Sequence, residues 1–255
     1  MAAGSAVVSP AARLGDGVEI GPFVVIEDDV EVGAGTRLLA GTVLHPGSRI
    51  GAGCSLGPYA VVGGEPMDAG FKGEPTLAII EDGVTLRDFV TVHRATGEGN
   101  VTRVGRDTLV MSYAHLSHNC SVGQHCTITT AVQLGGHVSV GDHAVIGSGA
   151  LLHQFTRVGV FAMFGAASAA NQDVLPFSMA RGNPVRHYRL NGVGLKRNGI
   201  DGQRYREIER ALRHVRHKEH EALAALAATN ADARELVDFI ASSRRGVARF
   251  VSGGR

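Results

Sequence analysis

The amino-acid sequence predicts a parallel β-helix of hexapeptide repeats followed by a C-terminal α-helical domain. Two observations carry this prediction. An aliphatic residue recurs every six positions through the first two thirds of the chain, and the last quarter changes to helical spacing. A period of six fits neither a helix nor a hairpin, but it is the period of hexapeptide coils. We therefore expect an all-β domain over residues 1–183 and a helical domain over residues 184–255.

The repeat begins as aliphatic residues at intervals of six, often followed by glycine. The residue four positions on is small or β-branched. The aliphatic side chain is expected to point inward, and glycine permits the turn after each short strand. With Val8 as a first partial site there are 24 inward positions, which predict about eight three-sided coils. The first full run is Leu14, Ile20, Ile26, Val32, Leu38, Leu44, Ile50, Leu56 and Val62; the register returns at Ile80, Leu86 and Val92 and holds from Val104 to Phe164.

Two segments interrupt the register, at residues 63–79 and 94–103. Insertions in a solenoid become loops on one face, often the binding face. The repeat is expected to end near Ser168. Beyond residue 184 apolar residues take helical spacing, and Asp201 is a candidate N-cap for the first tail helix. The helical positions are Tyr205, Ile208, Leu212, Val215, Leu223, Leu226, Leu236, Val237 and Ile240.

The composition is that of a globular protein, with 44% hydrophobic and 19% charged residues. No run of eighteen apolar residues is present, so we expect no membrane span. The N-terminal residues lack the basic and apolar regions of a secretory signal. Three cysteines without paired spacing favour a reducing cytoplasm over a disulfide framework.

The net charge of +1 hides an asymmetry between the two predicted domains. Residues 1–180 carry 9 Lys+Arg and 16 Asp+Glu, whereas residues 181–255 carry 16 and 8. A basic tail favours an anionic partner, which a nucleotide, a nucleic acid or an acidic protein would provide. The alternative is that these charges are the solvated faces of the helices.

Histidines gather in the second half of the predicted β-helix, at turn or outward positions. A histidine there can act as a general base, or three of them can hold zinc with one open position. Zinc-binding left-handed β-helices use a His-x4-His pair, and the closest pairs here are His-x2-His and His-x5-His, so we expect no metal. The residues are His93, His115, His118, His125, His137, His143 and His153.

Several motifs together resemble the UDP-N-acetylglucosamine O-acyltransferase family of lipid A biosynthesis. They are AHLSHNCSVG (114–123), LGGHVSVGDHAVIG (134–147), LLHQFTRVG (151–159), GEPT (73–76), TVHR (91–94), NQDVLPF (171–177) and GLKR (194–197). They follow the same order over nearly the whole chain. The resemblance implies a homotrimer of left-handed β-helices, with sites in the clefts between subunits.

The resemblance also implies the reaction and its partners. The family moves an acyl group, usually (R)-3-hydroxyacyl, from acyl carrier protein to the 3-hydroxyl of UDP-N-acetylglucosamine. The acyl group travels on the carrier's phosphopantetheine, so no other cofactor and no nucleic acid are implied. His118 would be the general base, and the backbone N–H of Gly136 would stabilise the oxyanion. Substrate contacts would come from Asp68, His93, His115, Asn119, His137, His153, Gln154, Ala166, Asn191 and Arg197.

Several positions depart from the family's pattern. Asn119 stands where an aspartate often supports the imidazole, and an amide cannot stabilise an imidazolium as a carboxylate does. Gly70 stands where a lysine is common, and Ala166 stands at the position that limits acyl length, which is often glycine. Asn198 replaces a second basic residue after GLKR.

Three other interpretations remain open from the sequence. One is an acyl-carrier-protein- or CoA-dependent acyltransferase of the same fold that acts on another acceptor, such as a specialised-metabolite sugar or nucleoside. A second is the glucosamine N-acyltransferase of lipid A synthesis, which has an additional N-terminal domain, whereas the repeats here begin by residue 8. The third is a non-catalytic scaffold, against which the set of His118, Gly136, His137 and Gln154 argues.

Overall fold

A computed structural model describes residues 5–252 and contains a three-sided left-handed β-helix with a helical C-terminal region, which confirms the predicted fold class. Each coil contributes one short strand to each of three sheets. Val7 pairs in parallel with Val25, and Val25 with Val43, so every coil consumes three hexapeptides. The outer limits of both predicted domains, residues 1 and 255, lie outside the described residues.

The first sheet has nine parallel strands. They are β1 (Val7–Val8), β4 (Val25–Ile26), β7 (Val43–Leu44), β10 (Val61–Gly64), β13 (Thr91–His93), β16 (His115–Leu116), β19 (Gln133–Leu134), β22 (Leu151–Leu152) and β25 (Ala169–Ala170). The second sheet has eight: β2 (Arg13–Leu14), β5 (Glu31–Val32), β8 (Ser48–Ile50), β11 (Leu77–Ile80), β14 (Val101–Val104), β17 (Ser121–Val122), β20 (Ser139–Val140) and β23 (Arg157–Val158).

The third sheet has ten strands, of which the last is antiparallel. They are β3 (Glu19–Ile20), β6 (Arg37–Leu38), β9 (Ser55–Leu56), β12 (Thr85–Leu86), β15 (Leu109–Val110), β18 (Thr127–Ile128), β21 (Val145–Ile146), β24 (Met163–Phe164), β26 (Ser178–Arg181) and β27 (Arg186–Leu190). The repeat thus continues past Ser168, the expected end. The sequence signal fades there because the next in-register residue is a small one, Ala170, and the following buried residue, Ala180, lies ten positions further on rather than six.

The core is a single column of aliphatic residues along the prism axis, from Val24 to Ala180. From the second coil upward, the predicted inward residues are buried, and so are the small residues four positions later, among them Cys54, Cys120 and Cys126. Burial raises the pKa of the Cys120 thiol to about 12. It also raises the pKa of the Cys126 thiol to about 12, so both thiols stay protonated at neutral pH.

Turns join the sheets at three corners that run the length of the prism. The first–second corner carries Asn119, His137 and Phe155; the second–third corner carries His125, His143 and Phe161; the third–first corner carries Tyr59, Phe89 and Tyr113. All nine residues have positive φ, because each sits at the tight point of its turn. The insertions between β10 and β11 and between β13 and β14 both leave from the first–second corner.

Four helices close the end of the prism: α1 (Gly192–Arg197), α2 (Gly202–His217), α3 (His220–Ala227) and α4 (Ala231–Ala241). Their apolar faces form a second core with Leu175 and Phe177 from the last coil. Residues 184–190, which were expected to belong to the helical domain, hold a turn and β27, which pairs with β26 and covers its edge. Asp201 takes the N-cap position of α2, without a side-chain capping bond. Within residues 5–252 no helix is long and apolar enough to cross a membrane.

His187 on β27 predicts an acid-sensitive step in the stability of this junction. It is fully buried, accepts a hydrogen bond from the Leu175 N–H at Nε2 (2.9 Å) and donates one from Nδ1 to the Ala248 carbonyl (2.8 Å). Burial lowers the pKa of His187 from 6.5 to about 4. Its stabilising contribution is therefore complete above pH 6.5 and declines as the pH falls toward about 4.

We expect the free energy of unfolding to be roughly 1 kcal/mol lower at pH 5.5 than at pH 7.5 because of this one residue. Urea unfolding at both pH values measures the difference. A His187→Gln variant cannot gain a proton, so its stability should be lower at pH 7.5 and should change less between the two values. An equal pH response in variant and wild type would contradict the assignment.

Candidate active site

The first–second corner brings together four residues that the sequence singled out. His118 and Asn119 lie in the turn between β16 and β17, and Gly136 and His137 lie one coil further on, between β19 and β20. Both coils are stacked in parallel register, with His115 opposite Gln133. The hexapeptide repeat alone thus places the predicted base beside the predicted backbone donor.

His118 is held in one orientation by its neighbour. Its side chain is only 12% exposed, and its Nδ1 lies 2.8 Å from the Asn119 Oδ1. An amide oxygen only accepts, so Nδ1 carries the proton and the lone pair is on Nε2. The Asp68 Oδ2 lies 3.9 Å from the same Nδ1. In the neutral form of His118, the lone pair therefore lies on Nε2, at the side of the ring away from Asn119.

Asn119 is itself fixed by the second inserted loop. Its Oδ1 accepts the Thr96 N–H (3.0 Å), and its Nδ2 donates to the Thr96 carbonyl (3.0 Å). The Asn119 N–H also donates to the Thr102 hydroxyl (2.8 Å). These contacts distinguish the amide oxygen from the nitrogen, because only an oxygen can accept from an N–H and only a nitrogen can donate to a carbonyl. An aspartate here would lose the donor to Thr96.

Gly136 has no side chain because His118 occupies that space. A Cβ on Gly136 would lie 2.5 Å from the His118 Nε2 and 2.6 Å from its Cε1. The Gly136 carbonyl accepts a bond from Phe155, whereas its N–H donates to no acceptor in the described part of the chain. A free backbone donor thus lies next to the basic nitrogen, which is the arrangement needed to stabilise an oxyanion.

His137 forms the wall on the other side of His118. The two rings are 5.3 Å apart and nearly perpendicular, and His137 stacks on Phe155 at 4.5 Å. Burial, and then the charge of His118, lower the pKa of His137, so its neutral form is favoured. Phe155 was not among the predicted site residues, although its place in the motif LLHQF, eighteen residues after His137, is the signal that locates it.

The first inserted loop brings Asp68 to the base and is tied to the second loop. The Gly70 N–H donates to Asp68 (2.9 Å), and this bond lowers the pKa of the carboxyl. The Glu74 carboxylate accepts the Lys72 N–H and the Gly97 N–H, both at 2.7 Å. Glu74 was missed as a site residue because its partner lies in the other insertion, where no periodic pattern predicts contacts.

His115 and His93 lie behind the base on the outward face of the first sheet. His115 contacts the hydroxyls of Thr91 (2.7 Å) and Ser117 (3.0 Å). Burial, and then the charge of His93, lower the pKa of His115 to about 4, so it is neutral at pH 7. His93 meets it edge-on at 4.8 Å, and burial likewise lowers the pKa of His93.

A groove of about 460 Å³ crosses the outward face of the first sheet from this cluster. Its polar lining includes His115 and His153, and its apolar lining includes Met67, Leu151 and Ala169. His153 and Gln154 are exposed in the turn after β22, at the same corner as His118. Of the predicted contacts, His115 and His153 thus line this groove, and Gln154 is exposed next to His153.

Three predicted site residues lie at other corners of the same chain. Ala166 is exposed at the third–first corner, beside Ala167. Asn191 and Arg197 belong to α1, next to the second–third corner: the Asn191 Nδ2 donates to the Phe161 carbonyl at 2.9 Å. The Asn191 Oδ1 caps α1 by accepting the Gly194 N–H, so both its amide nitrogen and its amide oxygen make bonds within the chain.

In the described chain no group of three His, Cys, Asp or Glu side chains has an arrangement that could hold a metal ion. A neutral histidine with a free lone pair accepts a proton, and the adjacent N–H stabilises a developing negative charge.

Two models of known protein families match this chain. The model for bacterial transferase hexapeptide repeats matches residues 11–46 and 29–64. The model described as UDP-N-acetylglucosamine O-acyltransferase, domain 2, matches residues 173–248. The first covers coils of the prism, and the second begins at its last coil and covers most of the tail.

Relatives also match this chain over nearly its whole length. Proteins of Halorhodospira halophila and Thermodesulfovibrio yellowstonii named acyl-[acyl-carrier-protein]–UDP-N-acetylglucosamine O-acyltransferase are 41% and 35% identical over 252 residues, covering 96% of this chain and 98% of each relative. The structure of a Bacteroides fragilis UDP-N-acetylglucosamine acyltransferase superposes with a TM-score of 0.93 at 32% identity, covering 98% of this chain and 100% of that one. A Francisella novicida enzyme gives 0.94 at 30% identity, with 99% and 95% covered.

The hexapeptide coils and the names of the full-length relatives together define an acyltransferase of the hexapeptide-repeat class. The full-length relatives identify one family within this class. The chain belongs to the UDP-N-acetylglucosamine O-acyltransferase family, which confirms the resemblance that the motifs predicted.

Proposed function

We propose that this enzyme transfers a 3-hydroxyacyl group from acyl carrier protein to the 3-hydroxyl of UDP-N-acetylglucosamine or a closely related UDP-sugar. The observation that carries the proposal is the packing of the His118 Nε2 against Gly136, whose N–H donates to no acceptor in the described part of the chain. The names of the full-length relatives supply the donor and the acceptor.

In this proposal, each step of the transfer is carried out by a named group. The His118 Nε2 takes the proton of the sugar hydroxyl as its oxygen attacks the thioester carbonyl carbon. A C–O bond forms, and the carbonyl electron pair becomes an oxyanion that accepts the Gly136 N–H. The oxyanion collapses, the C–S bond breaks, and the phosphopantetheine thiolate takes the proton back from His118. Asp68, at 3.9 Å, is the carboxylate that faces the transient imidazolium.

The remaining corner residues position the substrates. His137, His153 and Gln154 line the sugar and nucleotide, and the neutral state of His137 lets it hydrogen-bond without repelling the charged base. The acyl chain lies along Leu151 and Ala169 in the groove, toward Ala166, whose methyl group shortens the accepted chain. The acyl group arrives on its carrier, so no cofactor of the enzyme takes part.

The complete site combines two corners and therefore two subunits of a homotrimer. His118 lies at the first–second corner, and Arg197 ends α1 beside the second–third corner. Arg197 is exposed and makes no ion pair among residues 5–252, so it is free to bind a phosphate of a substrate seated on the neighbouring subunit. A single chain would offer only half of each site.

Subunit mixing tests this sharing. We expect His118→Ala and Arg197→Glu variants to be weakly active alone. Co-expressed, they should recover about a quarter of wild-type activity per site, because random assembly gives that share of clefts two intact halves. Co-expression of His118→Ala with wild type sets the scale. Activity no higher than the sum of the two separate variants would contradict a shared site.

The basic tail is the docking surface for the carrier protein in this proposal. A groove of about 370 Å³ between β27 and α2 is lined by Arg189, Arg213 and Arg216. Acyl carrier proteins are acidic, so such a surface steers them toward the site in a salt-dependent manner. The free state of all three cysteines agrees with a reducing cytoplasm, where both substrates are expected.

The direct experiment is an acyl-transfer assay of the purified protein with UDP-N-acetylglucosamine and 3-hydroxyacyl carrier proteins of increasing chain length. Formation of 3-O-acyl-UDP-N-acetylglucosamine with one preferred length supports the proposal. No transfer with any donor overturns it in favour of another acceptor. Asn119, in place of a carboxylate, is the observation that favours this second candidate, because an acceptor more nucleophilic than a hydroxyl depends less on a strong base.

A further inference from the structure

A largely buried arginine joins the first inserted loop to the prism. Arg94 directly follows β13, and its side chain is only 16% exposed. Its guanidinium lies over the Phe71 ring, 5.2 Å from the ring centre, and its Nη2 lies 3.6 Å from the Glu65 Oε1. Its Nη1 donates to the Pro46 carbonyl at 3.3 Å, in the turn between β7 and β8. One side chain thus contacts two points of the loop and one turn of the prism.

The contacts of Arg94 lie on both sides of Asp68. The two loop residues that it touches come three positions before Asp68 and three positions after it. The Phe71 N–H also donates to the Asp68 carbonyl at 3.0 Å, which closes residues 68–71 into one tight turn. A ring that is held at Phe71 therefore holds the Asp68 carboxylate, whose Oδ2 lies 3.9 Å from the His118 Nδ1.

The backbone of this part of the loop has no bond of its own to the prism. Among residues 5–252, the hydrogen bonds made by the backbone of residues 66–71 stay within the loop. Glu74, which joins the two loops, makes its contacts only beyond this segment. The position of the segment that carries Asp68 therefore depends on Arg94.

We propose that Arg94 is a positioning residue, which holds the first inserted loop so that the Asp68 carboxylate stays beside His118. Arg94 itself touches neither the substrates nor the reacting atoms. This inference rests on the proposed function, because it uses the role of Asp68 in facing the imidazolium that forms on His118 during the transfer.

The stacking on Phe71 is the strongest of the three contacts that Arg94 makes. Glu65 is 79% exposed, so water screens its attraction to the guanidinium and the ion pair contributes little. A guanidinium that is withdrawn from water over an aromatic face is held more firmly. Its planar fork can donate to the Pro46 carbonyl while its face covers the ring, which an ammonium group cannot do. Arginine is thus suited to hold the ring and the prism together.

Hydrogen exchange of an Arg94→Met variant measures the loop without any assay of activity. Methionine keeps the apolar stem and removes the guanidinium, so the amide hydrogens of residues 66–71 should exchange about tenfold faster than in wild type. Arg49→Met is the matched control. Arg49 is 22% exposed, and its ion-pair partners, Asp29 and Glu31, lie outside both insertions, so exchange in the loop should stay unchanged.

A second pair of variants leaves the arginine in place and changes the ring. Phe71→Leu removes the aromatic face on which Arg94 stacks, so exchange in the same segment should become faster. Phe71→Tyr keeps the aromatic face and should behave as wild type. This pair tests the same contact without removing a largely buried charge.

Acyl transfer then tests whether the loop acts through Asp68. Arg94→Met should lower kcat by about 10–10²-fold, because a carboxylate displaced by about 1 Å no longer faces the imidazolium as it forms. In an Asp68→Ala background no carboxylate is left to displace, so the same substitution should lower kcat by no more than about twofold. Phe71→Leu should follow Arg94→Met, whereas Phe71→Tyr should keep the wild-type kcat.

Equal exchange of the loop in wild type and Arg94→Met overturns the inference. Losses of kcat that multiply in the Arg94→Met, Asp68→Ala double variant also overturn it, because the arginine would then act on another part of the site. A wild-type protein that transfers no acyl group, with a loop that still exchanges faster in Arg94→Met, overturns the proposed function and leaves Arg94 as the residue that holds the loop.

Discussion

Replacing His118 with alanine is expected to lower kcat for acyl transfer by about 10²–10⁴-fold, the range typical for loss of a general base. The bond from Nδ1 to Asn119 fixes the tautomer, so the lone pair on Nε2 has no other role within the chain. Alanine removes the proton acceptor and leaves the Gly136 N–H in place. The affinity for UDP-N-acetylglucosamine should therefore change much less than kcat.

The measurement is steady-state acyl transfer, together with nucleotide-sugar binding by calorimetry. His220→Ala is the matched control, because His220 is an exposed histidine at the start of α3 and its loss should leave kcat unchanged. A His118→Ala enzyme with wild-type kcat would exclude His118 as the base. A loss of binding as large as the loss of kcat would instead make it a residue that holds substrate.

The repeat is the part of this fold that the sequence predicted almost completely. Inward residues such as Leu116 and Val122 are buried at the positions the six-residue period gives them. The period also determines which turns stack, so the proximity of His118 and Gly136 followed from spacing once a coil was known to need three hexapeptides. Apart from the two insertions, the period weakened at β25, where the inward residue is Ala170, and at β26, where the inward Ala180 lies ten residues after it instead of six.

The positions of the two insertions could be predicted from the sequence, but the contacts that their residues make could not. Their residues follow no period, so nothing in the sequence indicated that the Thr96 backbone would bind the Asn119 amide or that Glu74 would join the two loops. The substitution at Asn119 illustrates the limit. From the sequence alone, Asn119 in place of an aspartate means only that a carboxylate is missing. In the structure, the Asn119 amide nitrogen donates to the Thr96 carbonyl and the amide oxygen accepts the Thr96 N–H.

In the C-terminal region, the sequence predicted the helices but not the last strand. Helical spacing located α2, α3 and α4, but β27 was missed because its short alternating stretch is stabilised by the exposed edge of β26 rather than by its own pattern. The same holds for Asn191, whose amide caps α1 and binds the Phe161 carbonyl. Its place in a motif indicated a substrate contact, and only the structure revealed these internal bonds.

The second large effect is expected from Gly136→Ala, with a kcat at least about 10²-fold below wild type. Gly136 does not have a positive φ, so alanine is tolerated by the backbone and the N–H is kept. The new methyl group would lie 2.5 Å from the His118 Nε2, so the imidazole must move from its place beside the donor. The lower kcat is therefore expected to result from displacement of the His118 imidazole.

A double-mutant cycle separates this explanation from a general disturbance of the coil. If the methyl group acts by displacing the imidazole, Gly136→Ala should lower kcat little or not at all in a His118→Ala background, where no ring is present to displace. Thermal unfolding of all four proteins checks that the coil is intact. Two losses that simply multiply would show that the alanine damages something else, such as the oxyanion donor itself, because independent effects on the barrier add.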